Sequence, residues 1–180
     1  MPELRIFYDL LSQPCRAVVL FLEANKIPYE SVLISLTEGA HKKNEDLGKL
    51  NPRRTIPAMD DNGFYLSERY KFARPKVFSL PEDPAKAEEC KGKLEKAITT
   101  CESYFLSRGK YIGGDDISVA DLKPFCELTQ LWMTDYKPYQ DGSKVDVWMK
   151  NCKERLGPAY DKAHKPVNDA IEQGWFKSKS

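Results

Sequence analysis

A buried strand that runs straight into a helix start confines this chain more than any other feature. The apolar run Leu4-Arg5-Ile6-Phe7-Tyr8 reads as a buried strand, and Asp9-Leu10-Leu11-Ser12-Gln13-Pro14-Cys15-Arg16-Ala17 opens a helical pattern directly behind it. Pro14 suits the first helical position, where a missing N–H costs nothing and the fixed φ is already helical. Ser12 then sits on the strand-to-helix turn with its hydroxyl aimed at the positive end of a helix, a place that binds anions. The Ser12-x-x-Cys15 spacing is that of a redox Cys-x-x-Cys whose first, reactive cysteine has become serine. A reactive sulfur, if one works here, arrives with a ligand.

The residues that follow set an order of elements. Val18, Val19, Phe21 and Leu22 supply the apolar face of a helix over 14–24, which Asn25 ends. Ser31-Val32-Leu33-Ile34 reads as a second strand, and 41–49 as a polar, charge-rich helix. Thr55-Ile56-Pro57-Ala58-Met59 and Phe64-Tyr65-Leu66 flank Asp60-Asp61-Asn62-Gly63, whose Asn-Gly step is the strongest short hairpin signal. A βαβ unit followed by a β-hairpin is the order of a thioredoxin-like sheet. From Asp83 onward the patterns are helical. Asp83-Pro84 reads as a cap with a first-turn proline, and Ala87, Cys90, Leu94, Ile98, Cys101 and Phe105 recur behind it at helical spacing. Ser118 with Asp121 forms a capped start, with Ile117 and Leu122 placed for a hydrophobic staple. Val145, Trp148, Cys152 and Leu156 make one more apolar stripe. The last helix, around 158–173, is interrupted by Pro166, and 177–180 fray.

Composition removes several function classes. A formal net charge of +1 argues against a general binder of nucleic acid or of membrane surfaces. No secretory leader pattern and no run long enough to span a bilayer is visible, and a cytoplasmic protein is the expectation. The five cysteines are scattered, no Cys-x-x-Cys zinc spacing exists, and there are two histidines, His41 and His164, so no metal site is expected. Reduced thiols are the reading of the odd cysteine count, with a disulfide framework as the alternative.

An α/β half followed by an all-helical half, with Ser12 on that turn, resembles the cytosolic glutathione transferases, the theta class in particular. The Asp9–Ala17 stretch carries most of the resemblance. His41-Lys42, Asn51-Pro52 running to Ile56-Pro57, Leu66-Ser67-Glu68, the Ile117–Leu122 element and the run from Gly157 to His164 support it. The resemblance implies a thioredoxin-like, glutathione-binding N-terminal domain over 1–69, a linker over 70–82 and an all-α C-terminal domain over 83–180. It implies conjugation of reduced glutathione, as co-substrate with no permanently bound cofactor, to small hydrophobic electrophiles. Ser12 would stabilise the thiolate, with Gln13 as a ligand neighbour. Ile56 and a cis Pro57 would hold the cysteinyl backbone. His41, Lys42 and Thr55 would lie near the glycyl carboxylate, and Glu68 with Arg69 near the γ-glutamyl end. Theta enzymes carry a lysine where Thr55 stands, so a charge is replaced by a hydroxyl. A homodimer is also what the family implies.

Each of these residues has a plain structural alternative. Ser12 caps a helix, and Gln13 belongs to the same cap. His41 and Lys42 lie on a solvated basic face. Pro57 is an ordinary trans proline at a strand start. Cys15 is a small buried hydrophobe or, at a helix N-terminus, a redox thiol; His164 is a surface or packing residue rather than a base. The middle of the chain is short as well. After Glu68 the run Arg69-Tyr70-Lys71-Phe72-Ala73-Arg74-Pro75 is basic and stopped by proline, where the family continues through about two helices. Those helices cover the sheet and line the electrophile pocket and the dimer interface, so a sheet with part of one face uncovered is expected. Two other function classes therefore stand beside the transferase: a truncated, non-catalytic binding or interaction module, and a thiol oxidoreductase using Cys15.

Overall fold

The computed structural model describes residues 4–61, 64–67, 84–134 and 136–174. The chain divides into two compact units, one holding the N-terminal sheet together with residues 159–167, the other holding the remaining helices. The fold is a thioredoxin-like N-terminal part followed by a helical C-terminal part, as the element order predicts.

In the first unit, β1 (Leu4–Tyr8) leads into α1 (Gln13–Ala24), β2 (Glu30–Leu33), α2 (Ala40–Lys43) and α3 (Glu45–Leu50), then β3 (Ala58–Asp61) and β4 (Phe64–Ser67). The sheet order is β2-β1-β3-β4, with β1 parallel to β2 and antiparallel to β3. Arg5 pairs with Glu30 on one side of β1 and with Asp60 on the other, which fixes the register. Ile6 and Phe7 point to opposite faces and are both buried, so β1 is a doubly covered strand. Cover is thinner at the β2 edge, where Leu33 is 70% exposed.

Two details differ from the sequence pattern. Helix α1 starts at Gln13, so Pro14 is its second residue, still inside the turn whose N–H groups need no partner. The single helix expected over 41–49 is two short ones, because the Asn44 side chain accepts the Leu47 N–H at 2.8 Å and caps a new helix. Asn25 ends α1 as expected, its side-chain amide donating to the Phe21 carbonyl at 2.8 Å.

The second unit contains α4 (Pro84–Thr100), continued by a π-helical turn (Cys101–Phe105), then α5 (Val119–Leu131) and α6 (Lys144–Leu156). The last helix, α7 (Pro158–Glu172), runs on through Pro166, contrary to the expected interruption. Proline removes one helical hydrogen bond, but Ala163, Val167 and Ala170 are buried around it, and that packing carries the helix past the defect. The α6 stripe is as expected, with Val145, Trp148, Cys152 and Leu156 all buried.

The α4 stripe is helical, yet Ile98 is its single buried member; Cys90, Leu94 and Cys101 are half-buried and Ala87 and Phe105 exposed. The wider π turn adds a residue, which moves Phe105 outward and puts Leu106 inside instead. Asp121 is fully buried at the start of α5. Its carboxylate accepts the Ser118 N–H and hydroxyl and the Ile112 N–H, and the Trp148 indole N–H from α6, all at 2.8–2.9 Å. The expected cap is therefore also a tie between helices. Glu68, Arg69, the Asn62-Gly63 turn, the 69–75 run, Asp83 and 177–180 lie outside the described residues. None of the described helices is long and apolar enough to cross a membrane.

Candidate active site

The residues expected to matter sit on three short segments of the first unit that meet through one apolar cluster. Phe7, Cys15, Ile34, Leu47, Ile56 and Ala58 form it, with Leu36, Ala40 and Leu50 packed against them. Cys15 lies one turn after Ser12, Ala40 lies beside His41, and Ile56 is itself a site residue. Burying side chains of this size stabilises by about 1.5–3 kcal/mol each, and the same burial fixes the three segments relative to one another.

Ser12 occupies the N-cap position of α1 in an extended conformation, φ −87° and ψ 123°, and its hydroxyl makes no capping hydrogen bond. The hydroxyl is instead hydrogen-bonded to the Cys15 thiol. Ser12 and Gln13 are both half-buried at the head of the helix. Burial pushes the Cys15 thiol up to about 12, against the opposing pull of the Ser12 hydroxyl and the Asp9 backbone. Cys15 is fully buried. A thiol so placed is protonated at neutral pH and shielded from solvent, which is the small-hydrophobe reading and not the redox one.

The turn before Ser12 is braced from inside. Asp9 is 8% exposed, and its carboxylate oxygens accept the Leu11 N–H at 2.9 Å and the Leu36 N–H at 2.8 Å. Its carbonyl accepts the Ser12 N–H at 3.0 Å. Arg16, fully buried, donates to the Leu10 carbonyl at 2.8 Å. Asp9 was not among the residues legible as functional, because its second partner is 27 positions away.

His41 and Lys42 lie on the single turn of α2, entered through Gly39 at φ 67°, a backbone conformation that side-chain-bearing residues rarely adopt. His41 is half-buried and Lys42 exposed. Thr55 is held by Asn51, whose side-chain amide donates to both the Thr55 carbonyl and its hydroxyl at 2.9 Å. Asn51 also accepts the Arg53 N–H at 3.1 Å, so this one buried amide shapes the loop that presents Thr55, Ile56 and Pro57. The Asn51-Pro52 dipeptide entered as part of the resemblance, with nothing in its spacing to mark this role. Arg54, at φ 50°, donates to the Asn44 carbonyl at 2.6 Å. A Cβ at Gly48 would fall on that guanidinium, so the glycine makes room for the bond. The Ile56–Pro57 peptide is cis. Glu68 and Arg69 cannot be placed against this cluster, being outside the described residues. His164 is fully buried and stacked on Tyr160, ring centres 4.4 Å apart, as a packing residue would be. Among the described residues no group of His, Cys, Asp and Glu could hold a metal ion.

Residues 12–71 match the family model for the glutathione S-transferase N-terminal domain. Glutathione S-transferase T1 of Arabidopsis thaliana is 26% identical over 231 residues, covering 98% of this chain and 94% of the relative. Over a 65-residue stretch, 36% of the chain and 27% of the relative, identity to glutathione S-transferase theta-1 of Rattus norvegicus reaches 42%. The crystal structure of human glutathione transferase theta-2 in complex with glutathione superposes with a TM-score of 0.81 at 22% identity, covering 97% of this chain and 91% of that one. In the first of these alignments 98% of 180 residues is set against a 231-residue span, so about 55 positions of the plant relative have no counterpart here. Both chains are covered almost end to end, so the shortening is internal. Along nearly its whole length the chain resembles theta-class glutathione S-transferases, and residues 12–71 carry the N-terminal domain of that family.

Proposed function

We propose that this chain conjugates reduced glutathione to small hydrophobic electrophiles through a thiolate held by Ser12, as a detoxifying enzyme of the cytoplasm. The observation that carries the reading is the Ser12 hydroxyl: it stands at the head of α1, half-buried, and is not used as a cap. Glutathione's thiol, with an ordinary value near ~8.5, loses its proton to solvent. The Ser12 hydroxyl then donates to the sulfur anion and the α1 terminus adds its positive field. A downward shift of about two units requires roughly 2.7 kcal/mol of preference for thiolate over thiol, within reach of one charge-assisted hydrogen bond plus a helix terminus. The thiolate attacks the electrophilic carbon, a C–S bond forms, and the leaving group departs with its electron pair or the added electrons pass into the acceptor. His41, Lys42 and Thr55 serve the glycyl end, Ile56 and Pro57 the cysteinyl backbone, and Glu68 with Arg69 the γ-glutamyl end, with Gln13 beside the sulfur.

The test is product formation: the purified chain is incubated with glutathione and activated aryl or alkyl halides, and conjugates are measured by mass. Conjugates above the uncatalysed level, falling about a hundredfold in Ser12→Ala, support the reading; equal rates with and without wild-type protein overturn it. The internal shortening favours one second reading, a module that binds glutathione without turning it over. Saturable glutathione binding with no conjugate from any electrophile selects it.

A further inference from the structure

We propose that Asp9 is a positioning residue for the reaction, setting the Ser12 hydroxyl and the α2 turn in one frame. The inference rests on the Ser12 reading above. Asp9 follows β1 directly and is almost completely buried. Its two carboxylate oxygens serve two separate segments. One takes the Leu11 N–H, next to Ser12, at 2.9 Å, and the other takes the Leu36 N–H, beyond β2, at 2.8 Å.

From Leu36 the connection continues by backbone hydrogen bonds. The Leu36 carbonyl accepts the Gly39 N–H at 3.1 Å, and the Ser35 carbonyl accepts the Ala40 N–H at 2.9 Å, the residue immediately before His41 and Lys42. On the other side the Asp9 carbonyl accepts the Ser12 N–H at 3.0 Å. One side chain thus joins the loop carrying Ser12 to the loop carrying His41 and Lys42. Carboxylate is the group this task needs, since both partners are N–H donors and an amide could accept from only one of them. Hydrogen bonds to a charged acceptor are also shorter and stiffer than neutral ones. A turn whose hydroxyl must meet a sulfur anion loses much of its effect when the donor moves by about 1 Å.

The experiment compares wild type, Asp9→Asn, Asp9→Glu, Ser12→Ala and the double variant Asp9→Asn/Ser12→Ala. Circular dichroism confirms which variants fold, and Asp9→Glu, which keeps the charge and displaces it by a methylene, carries the test if the asparagine variant does not. Glutathione is titrated onto each across pH, with thiolate followed by ultraviolet difference absorbance. In Asp9→Asn the apparent pKa of bound glutathione rises by about one unit, tenfold less thiolate below it, glutathione binding weakens several-fold, and Asp9→Glu lies between this variant and wild type. The double variant shows no higher thiol pKa than Ser12→Ala alone, because Asp9 acts on the sulfur only through the serine turn. An unchanged thiol pKa in Asp9→Asn and Asp9→Glu while Ser12→Ala raises it overturns the inference and leaves the serine reading standing; so does a double variant whose shift is the sum of the two. An unchanged pKa in Ser12→Ala sinks the serine reading and the Asp9 inference with it.

Discussion

Among the described residues three serines stand at helix starts, and their surroundings differ by one residue. Ser118 and Ser143 each have an aspartate three positions on, Asp121 and Asp146, whereas Ser12 has Cys15. Asp121 takes both the N–H and the hydroxyl of Ser118, and the Ser143 hydroxyl accepts the Asp146 N–H at 3.3 Å. Those two hydroxyls are committed to holding helices. With a thiol in place of the carboxylate, the Ser12 hydroxyl makes no cap and its helix is secured from behind, by Asp9 on Leu11 and Arg16 on Leu10. A cap residue relieved of capping, its hydroxyl engaged with the weakly bonding Cys15 thiol, can turn its donor to a ligand. The lesson is that the chemistry is decided by the third residue as much as by the serine.

The contrast is broken most forcefully at Asp121. Asp121→Ala takes the acceptor from a buried indole N–H and from two backbone N–H groups and a hydroxyl that are part-buried, and an unmet buried donor costs about 1–3 kcal/mol. The expected loss is about 4 kcal/mol or more, read by urea denaturation, and a loss below ~1 kcal/mol contradicts Asp121 as a tie between helices. Next in size, Ser118→Ala costs about 1 kcal/mol in the same melts, as removal of a cap does. Ser12→Ala changes stability by less than ~0.5 kcal/mol, because no cap bond is lost with it. Equal costs for the two serines erase the distinction.

Acid sharpens the comparison at Ser143. The Lys150 ammonium, first, and then the Gly142 N–H hold the Asp146 carboxyl down at about 2, below its ordinary 3.8. A group depressed on folding contributes stability that is fully present above its unfolded value and lost as pH falls through its folded one. Urea melts of wild type should therefore weaken between about pH 4 and pH 2, and Asp146→Asn should remove that part of the acid dependence. An identical acid profile in the variant denies Asp146 the role. The smallest effect belongs to Cys15: burial keeps its thiol protonated, so iodoacetamide at pH 8 leaves it unmodified in the native protein. Mass mapping that finds Cys15 alkylated as fast as in the unfolded chain would revive the redox reading.

Much of this was legible because it is local. The strand into Ser12, the Ser118–Asp121 cap and the α6 stripe are each set by residues within a few positions of one another. What escaped depends on partners far along the chain or on packing. Nothing near Asp9 in the chain marks its bond to Leu36, and nothing near Asn51 marks its hold on Thr55. Pro166 signals a break that tertiary burial cancels, and the π turn that exchanges Phe105 for Leu106 leaves no trace in spacing. The candidate site was named by resemblance more than by pattern, since His41, Lys42 and Thr55 have nothing in their own spacing that marks them for a carboxylate.

The central claim, that Ser12 is spared from capping and serves a sulfur anion, is met most directly by one titration. Saturating glutathione is added to wild type, Ser12→Ala and Ser118→Ala, and the ultraviolet thiolate signal is followed with pH. Wild type and Ser118→Ala should ionise bound glutathione about two units below its free value, and Ser12→Ala close to the free value of ~8.5. A thiolate curve in Ser12→Ala that overlays wild type would contradict the account.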